Sequence, residues 1–269
     1  MTVLNKDMAP KPALCRLSML LRPAALDVLI SPIYAEAGGR LLYHTIPFPA
    51  ATTTLAAFEE CVYENPLLLA DFGEVHLLLD ADRYLLVPTD VVDDEICIDM
   101  LQAVWPDAAD FAAAPLAGSD TALVMSPAEG VLPFVRRTWL DAEPLHPLHP
   151  LAAYYMRQKY TSFTICAALD TGGTGVVVID GEKLLGANST KMQSPSDIAY
   201  HLLATAKAYG KSHLDATYML SGDVSLKDEV SALLRSMQCR VMAAPFPAAA
   251  LAAGADSTVA PFALVATAY

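Results

Sequence analysis

Apolar and polar positions along this chain fall into two similar blocks. The first opens with RLSMLLRP, ALDVLISP and RLLYHTIP, three short apolar runs parted by turn-forming residues, Gly38 and Gly39 making the second turn. This predicts an antiparallel meander. After Pro49, Thr52, Thr53 and Thr54 offer caps, Leu55, Phe58 and Val62 recur at helical spacing, and Asn65 and Pro66 end the segment. EVHLLLD and RYLLVP supply two further β-like runs. DDEICIDMLQAVWP reads as a helix with acids in its first turn and a stop at Pro106, and TALVMSP reads as a last strand.

The second block is plainer. FTICAALD and GVVVID are strands joined by the glycine-rich TGGTG, and Asp180–Gly181 is a two-residue hairpin signal before EKLL. In SPSDIAYHLLATAKAYG, Ser194 stands at the cap, Pro195 at the first helical position, Asp197 completes a box-like start, and Gly210 marks the stop. Ile198, Leu202, Leu203 and Ala206 give that helix one apolar face. After the strand DATYMLSG, Ser225 and Asp228 open a helix with Val230, Leu233, Leu234 and Met237 inward, and CRVMAAP closes the block.

Residues 15–115 and 162–245 thus both read as three short strands, a helix, a strand, a helix and a further strand or its remnant. A period of that size is too long for a solenoid and fits a duplicated α/β domain. The expected organisation is a first lobe at 1–125, an interlobe connection at 126–161 and a second lobe at 162–269. Within the connection, prolines 127, 133, 144, 147 and 150 break the rhythm and LAAYYMRQKY reads as a short bridging helix; a hinge would lie here, and its several aromatics could equally pack and immobilise it.

Composition narrows the function classes. No apolar run approaches the roughly 18 residues of a membrane span, so a protein without one is expected. MTVLNKDMAPKPALC lacks the basic start and apolar centre of a secretory signal, which points to the cytoplasm. Cys15, Cys61, Cys97, Cys166 and Cys239 are odd in number and widely spaced, and read as buried hydrophobes of a reducing compartment. His146 and His149 have a spacing that suits a metal, whereas the prolines beside both favour an extended linker.

The net charge of −13 is uneven: residues 1–160 carry 21 acids and 10 bases, residues 161–269 carry 9 and 7. Between Asp71 and Asp110 eleven acids meet one base, Arg83. Such a field repels phosphate backbones and argues against nucleic-acid binding. It reads either as a solvated acidic face or as a docking surface for a basic partner.

Two βββαβαβ lobes in tandem are similar in layout to the actin-like ATPase (ribonuclease H-like) fold of actin, sugar kinases and heat-shock ATPases. LSMLLRPAALDVLIS, YLLVPTDV, LLGANSTKMQSPSDIAYHLL and YMLSGDVS resemble a bacterial domain-of-unknown-function family with that fold, along nearly the whole chain. The resemblance implies an architecture and offers no established activity. It also implies a cleft between the lobes in which active members bind ATP, with a phosphate-wrapping hairpin from each lobe and an acid for magnesium. Asp170, Thr171, Gly172, Gly173 and Thr174 resemble the second hairpin, and Ser221 with Gly222 resembles a thinned glycine pair beside the adenosine. Asn188, Ser189 and Asp197 fall in the family's most recognisable stretch, and turn formation and capping explain them equally.

The first hairpin departs from that pattern. Its turn reads Arg22, Pro23, Ala24, Ala25, Leu26, without the acid, glycine and hydroxyl that phosphate and magnesium need, and proline removes an N–H. Asp27 follows in the strand, where alternation leaves its face open. No G-x-S-x-G elbow or P-loop is present, so no catalytic residue and no metal ligand is assigned.

These features favour a non-catalytic scaffold or adaptor with a degenerate nucleotide cleft, acting through a protein partner or self-association. One alternative is a switch that binds ATP with magnesium through Asp170, Thr171 and TGGTG. Another is a small-molecule kinase with Asp170 as its base. The C-terminal PAAALAAGADSTVAPFALVATAY is expected to form a last helix on the second lobe, burying or exposing Phe262, Leu264, Val265 and Tyr269.

Overall fold

The computed structural model describes residues 4, 9, 11–33, 41–50 and 52–268. The Gly38–Gly39 turn, Tyr269 and most of the N-terminal segment lie outside them. The three opening apolar runs are strands Cys15–Arg22 (β1), Ala25–Pro32 (β2) and Leu42–Pro47 (β3), followed by helix Thr54–Glu64 (α1) and strand Glu74–Leu79 (β4). Thr53 is the residue that caps α1, accepting from Ala56 N–H at 3.3 Å. A small unit follows: strand Tyr84–Pro88 (β5), helix Asp94–Val104 (α2), and strands Ala112–Pro115 (β6) and Thr121–Met125 (β7). Then come helix Val131–Thr138 (α3), the two-residue strand Pro144–Leu145 (β8) and helix Leu148–Met156 (α4).

The second half contains strands Thr164–Asp170 (β9), Gly173–Asp180 (β10) and Lys183–Thr190 (β11), helix Pro195–Ala208 (α5), and strand Thr217–Gly222 (β12). Helix Val224–Ser236 (α6), strand Arg240–Ala243 (β13), and helices Ala248–Ala253 (α7) and Phe262–Ala268 (α8) complete it.

The duplication is visible in the sheets. One runs β3-β2-β1-β4-β8 and the other β11-β10-β9-β12-β13. In each, the first three strands are antiparallel neighbours and the last two pair in parallel. Strand alternation divides the second sheet between two cores. Ile165, Ala167 and Leu169 face α5 and α6, packing with Ile198, Leu202 and Leu234. Cys166 and Ala168 turn the other way, into a core shared with α4, α8 and the first sheet. One continuous apolar interior therefore joins the lobes.

Several elements differ from the sequence reading. TALVM is a strand, but it does not close the first sheet; β8 does, and TALVM lies in a separate sheet of order β5-β7-β6. That sheet packs with α2 around its own core of Val87, Cys97, Leu101, Ala108, Ala122 and Val124. The strand AAAP gives no signal in the sequence because alanines carry little β propensity. His146 and His149 are not in an extended linker. Pro147 adopts helical dihedrals as the cap of α4 and Pro150 sits in the first turn, where no intrahelical N–H bond is lost.

Cap details also shift. Asp223, not Ser225, caps α6 by accepting from Leu226 N–H at 2.8 Å, and Met237 is 47% exposed rather than inward. Ser194 is the capping residue of α5 by position, while its hydroxyl pairs with Ser196 Oγ at 2.8 Å. Helix α8 does not rest on the second lobe alone. Phe262, Leu264 and Val265 are buried between both lobes, Ser18 Oγ lies 2.8 Å from Thr267 Oγ1, and Arg16 donates to Ala268 O.

Candidate interlobe cleft

The two hairpins that would face a phosphate are brought together. In β1–β2, Arg22 pairs with Ala25; in β9–β10, Asp170 pairs with Gly173. Arg22 and Asp170 thus hold equivalent positions in the duplicated lobes, a base where the second lobe has an acid. Arg22 turns inward and ion-pairs with Asp27, a fully buried carboxylate. The other oxygen of Asp27 accepts from Tyr43 Oη at 2.8 Å and Thr45 Oγ1 at 2.7 Å, both on β3. Alternation has put Asp27 on the inner face, with its charge met by one guanidinium and two hydroxyls.

This pair fills the space in front of TGGTG. A Cβ built on Gly172 would lie 2.6 Å from Arg22 Nη1, so the arginine crosses the turn that would wrap a phosphate. Gly173 has φ +149°, and a Cβ there would lie 2.5 Å from Thr190 O, which makes glycine a backbone requirement. The remaining cavity is about 50 Å³. It has room for a few waters, against roughly 300–1,000 Å³ for pockets that enclose drug-sized ligands. Gly172, Gly173, Thr174 and Asp170 line it together with Arg22, Asp80 and Lys191. Thr171 stands at the turn, its carbonyl accepting from Gln193 Nε2 at 3.0 Å.

Asp170 is engaged by α8. Its Oδ1 accepts from Phe262 N–H at 3.3 Å, which ties the end of β9 to the start of the last helix. Burial pushes its carboxyl up to about 7; the Phe262 N–H and Arg22 act in the opposite direction, while Asp27 and Asp223 add to the rise. Ser221 and Gly222 end β12 away from this cavity. Ser221 Oγ lies 2.6 Å from Tyr155 Oη in the core, and Gly222, at φ +93°, abuts Leu169 O so closely that a Cβ would collide.

Sequence reasoning does not single out four residues at the cleft, Asp80, Asp82, Tyr84 and Lys191. Asp80 follows β4, has a side chain only 14% exposed, and pairs with Lys191 Nζ at 2.5 Å across the lobes. Asp82 lies 3.3 Å from the same Nζ. Tyr84 Oη donates to Asn188 Oδ1 at 2.7 Å and accepts from Ser189 N–H at 2.8 Å, so the recognisable ANST stretch is a clasp between lobes. The signal available for Asp80 was its place just after an apolar strand, where open α/β sheets put ligand-facing residues. Asp80 also borders a second cavity of about 370 Å³, lined by Arg83, Ser126 and Gly130.

His146 and His149 form a buried pair. Each Nδ1 accepts a backbone N–H, from Leu148 and His146 respectively, and each Nε2 meets a carbonyl, Ala81 O at 3.2 Å and Ala114 O at 3.0 Å. Both rings are neutral in this arrangement. Burial lowers their pKa values, His146 to about 3. Among the described residues no group of three or more His, Cys, Asp or Glu could hold a metal ion, and no helix is long and apolar enough to cross a membrane.

Comparison with known proteins bears on the fold. A Bacteroides thetaiotaomicron protein with actin-like ATPase fold and unknown function has a TM-score of 0.75 at 15% identity, covering 95% of this chain and 97% of its own. The PilM–PilN type IV pilus biogenesis complex has a chain with TM-score 0.54 at 14% identity, covering 94% of this chain and 96% of its own. No curated protein matches. The family described as Protein of unknown function (DUF3822) matches residues 6–237, and this chain, with its duplicated lobes of actin-like ATPase fold, belongs to that family.

Proposed function

We propose that the protein is a non-catalytic scaffold or adaptor whose interlobe cleft no longer takes a nucleotide. The observation that carries this reading is Arg22, held by buried Asp27 and lying over Gly172. Phosphoryl transfer needs both hairpins, metal and water in position. Here one hairpin offers an arginine and a proline, and the acid of the other is engaged by α8. The shared interior with α4 and α8 favours a fixed lobe arrangement over one that opens and closes.

A working place in protein assemblies fits the PilM–PilN precedent, in which a chain of this fold belongs to a biogenesis complex. A cytoplasmic location is supported by five free cysteines, four of them buried. One observation favours the ATP-switch alternative: among the described residues the Thr174 hydroxyl, in a residue only 2% exposed beside Gly173, has no hydrogen-bond partner. That reading requires Arg22 to leave Asp27. The kinase alternative is less favoured, since its base, Asp170, already accepts from Phe262 N–H.

Thermal shift and turnover with magnesium and ATP test the proposal. A scaffold gives an unchanged melting temperature and no phosphate release. A rise in melting temperature abolished by Gly172→Val would instead support the switch, and turnover lost in Asp170→Asn would support the kinase.

A further inference from the structure

Of the eleven acids from Asp71 to Asp110, Asp71 is exposed ahead of β4 with no ion pair among the described residues, and the other ten fall into two groups in the fold. Glu74, Asp80, Asp82, Asp107 and Asp110 each have a basic partner. Asp90, Asp93, Asp94, Glu95 and Asp99 are exposed, and among the described residues none of the five is in an ion pair. Asp93, Asp94, Glu95 and Asp99 lie at the start of α2 or on it, and Asp90 lies in the short 3-10 turn just before it. No Lys or Arg occurs in the sequence between Arg83 and Arg136, so nothing nearby in the chain neutralises them.

Helix-start chemistry accounts for part of this charge. Asp93 caps α2, and Asp94 and Glu95 complement the helix dipole in the first turn. It does not account for Asp99, which sits four residues after Glu95. Like charges at that spacing destabilise an isolated helix.

The same face exposes apolar side chains at a regular interval. Ile96, Met100 and Val104 are spaced four apart along α2, and Val92 precedes the helix in extended backbone, outside that register. Val92 is 40% exposed, Ile96 46% and Val104 55%, while Met100 leans on the small core. A row at four-residue spacing is the ridge that one helix inserts between the ridges of another. The buried side of α2, with Cys97 and Leu101, already satisfies the small sheet. The outer ridge is thus a second apolar stripe, flanked by Glu95 and Asp99.

We propose that this face is a docking surface for a basic amphipathic helix of a partner protein. Its apolar stripe packs on Ile96, Met100 and Val104, and its Lys or Arg side chains meet Glu95 and Asp99. Charge complementarity chooses this occupant: every charged residue that borders the row on this helix is an acid. The inference rests on the scaffold reading and names the chemistry of its partner.

The test uses the full-length chain and a fluorescein-labelled peptide of about 18 residues, long enough to form a helix, with Leu at i, i+3, i+4 and i+7 and Lys elsewhere. Anisotropy titrations at about 50 and 200 mM NaCl are expected to show saturable binding that weakens several-fold at the higher salt. Ile96→Ser with Val104→Ser, which leaves the charge unchanged, is expected to weaken binding about tenfold, as is Glu95→Gln with Asp99→Asn. Both pairs are at exposed positions, and unaltered melting temperatures verify the fold.

No saturable binding to the wild type overturns the proposal, as does binding undiminished in either double variant. A concentration-dependent dimer that Ile96→Ser with Val104→Ser abolishes, without peptide binding, assigns the face to a second copy and also overturns it. The cleft is assayed separately with magnesium and ATP. A silent cleft without peptide binding therefore removes this surface and leaves the scaffold reading intact.

Discussion

Arg22 lies across Gly172, its Nη1 2.6 Å from where a Cβ on that glycine would be. The two residues belong to equivalent turns of a duplicated fold, and each restricts what the other position can hold. Arg22 cannot retreat without abandoning Asp27 in a buried site. Gly172 cannot gain a side chain without displacing Arg22.

Arg22→Ala is expected to destabilise the protein by about 3–5 kcal/mol, because it leaves the Asp27 carboxylate buried without its cation. The double variant Arg22→Met with Asp27→Leu should be less destabilised than Arg22→Ala, having no orphaned charge. Urea unfolding of the set gives the comparison. A double variant at least as unstable as the single one contradicts this pairing.

Gly172→Ala is expected to cost about 1–3 kcal/mol in the wild type, the range for overpacking a filled site. In the Arg22→Met with Asp27→Leu background the cost should shrink markedly, since no guanidinium is pinned above the turn. A double-mutant cycle measures the coupling. Equal costs in both backgrounds would place Arg22 away from Gly172 in solution.

Acid should destabilise the protein through His146 and His149. Their folded pKa values are lowered, so the unfolded chain takes up protons first; their contribution is full above about pH 6.5 and, for His146, is lost as pH falls toward about 3. The slope for one such histidine is at most about 1.4 kcal/mol per pH unit. His146→Gln should show a shallower decline in chemical denaturation between pH 6.5 and 4.5. An unchanged slope counts against a buried neutral ring.

Asp170 acts with the opposite sign. Its folded pKa is raised to about 7, so its contribution is full below the ordinary carboxylate range and fades as pH rises through 7. Asp170→Asn keeps an oxygen for the Phe262 N–H and removes the charge. It should therefore gain stability relative to the wild type between pH 5 and 8, as read by denaturation at each pH. A variant whose stability relative to the wild type does not change with pH would deny the raised pKa.

Tyr84→Phe removes the hydroxyl that joins β5 to Asn188 and Ser189. A loss of about 1 kcal/mol is expected, the usual net worth of such a bond. Faster amide exchange should appear at Ser189 while α5 and α6 keep their protection. Uniform acceleration throughout the second lobe would argue against a local clasp.

Much of this architecture was legible because both halves obey their local rules. The meanders, Asp180–Gly181 and the start and stop of α5 follow from alternation, turn chemistry and Gly210. Turn composition also marked the first hairpin as unlike the second. What sequence could not supply was tertiary placement. The side of the sheet taken by Asp27, the small third sheet with its alanine-rich strand, and α8 lying between lobes depend on partners distant in the chain. Asp80 and Lys191 are 111 residues apart and acquire meaning only when the lobes meet.

The cleft itself is open to direct measurement. Isothermal titration of the wild-type chain with magnesium and ATP, carried to about 1 mM nucleotide, reaches the affinity worth only about 4 kcal/mol. With Arg22 fixed over Gly172, no saturable heat is expected. Stoichiometric binding tighter than that limit would mean that the arginine yields to a phosphate, and the closed, non-catalytic cleft would have to be abandoned.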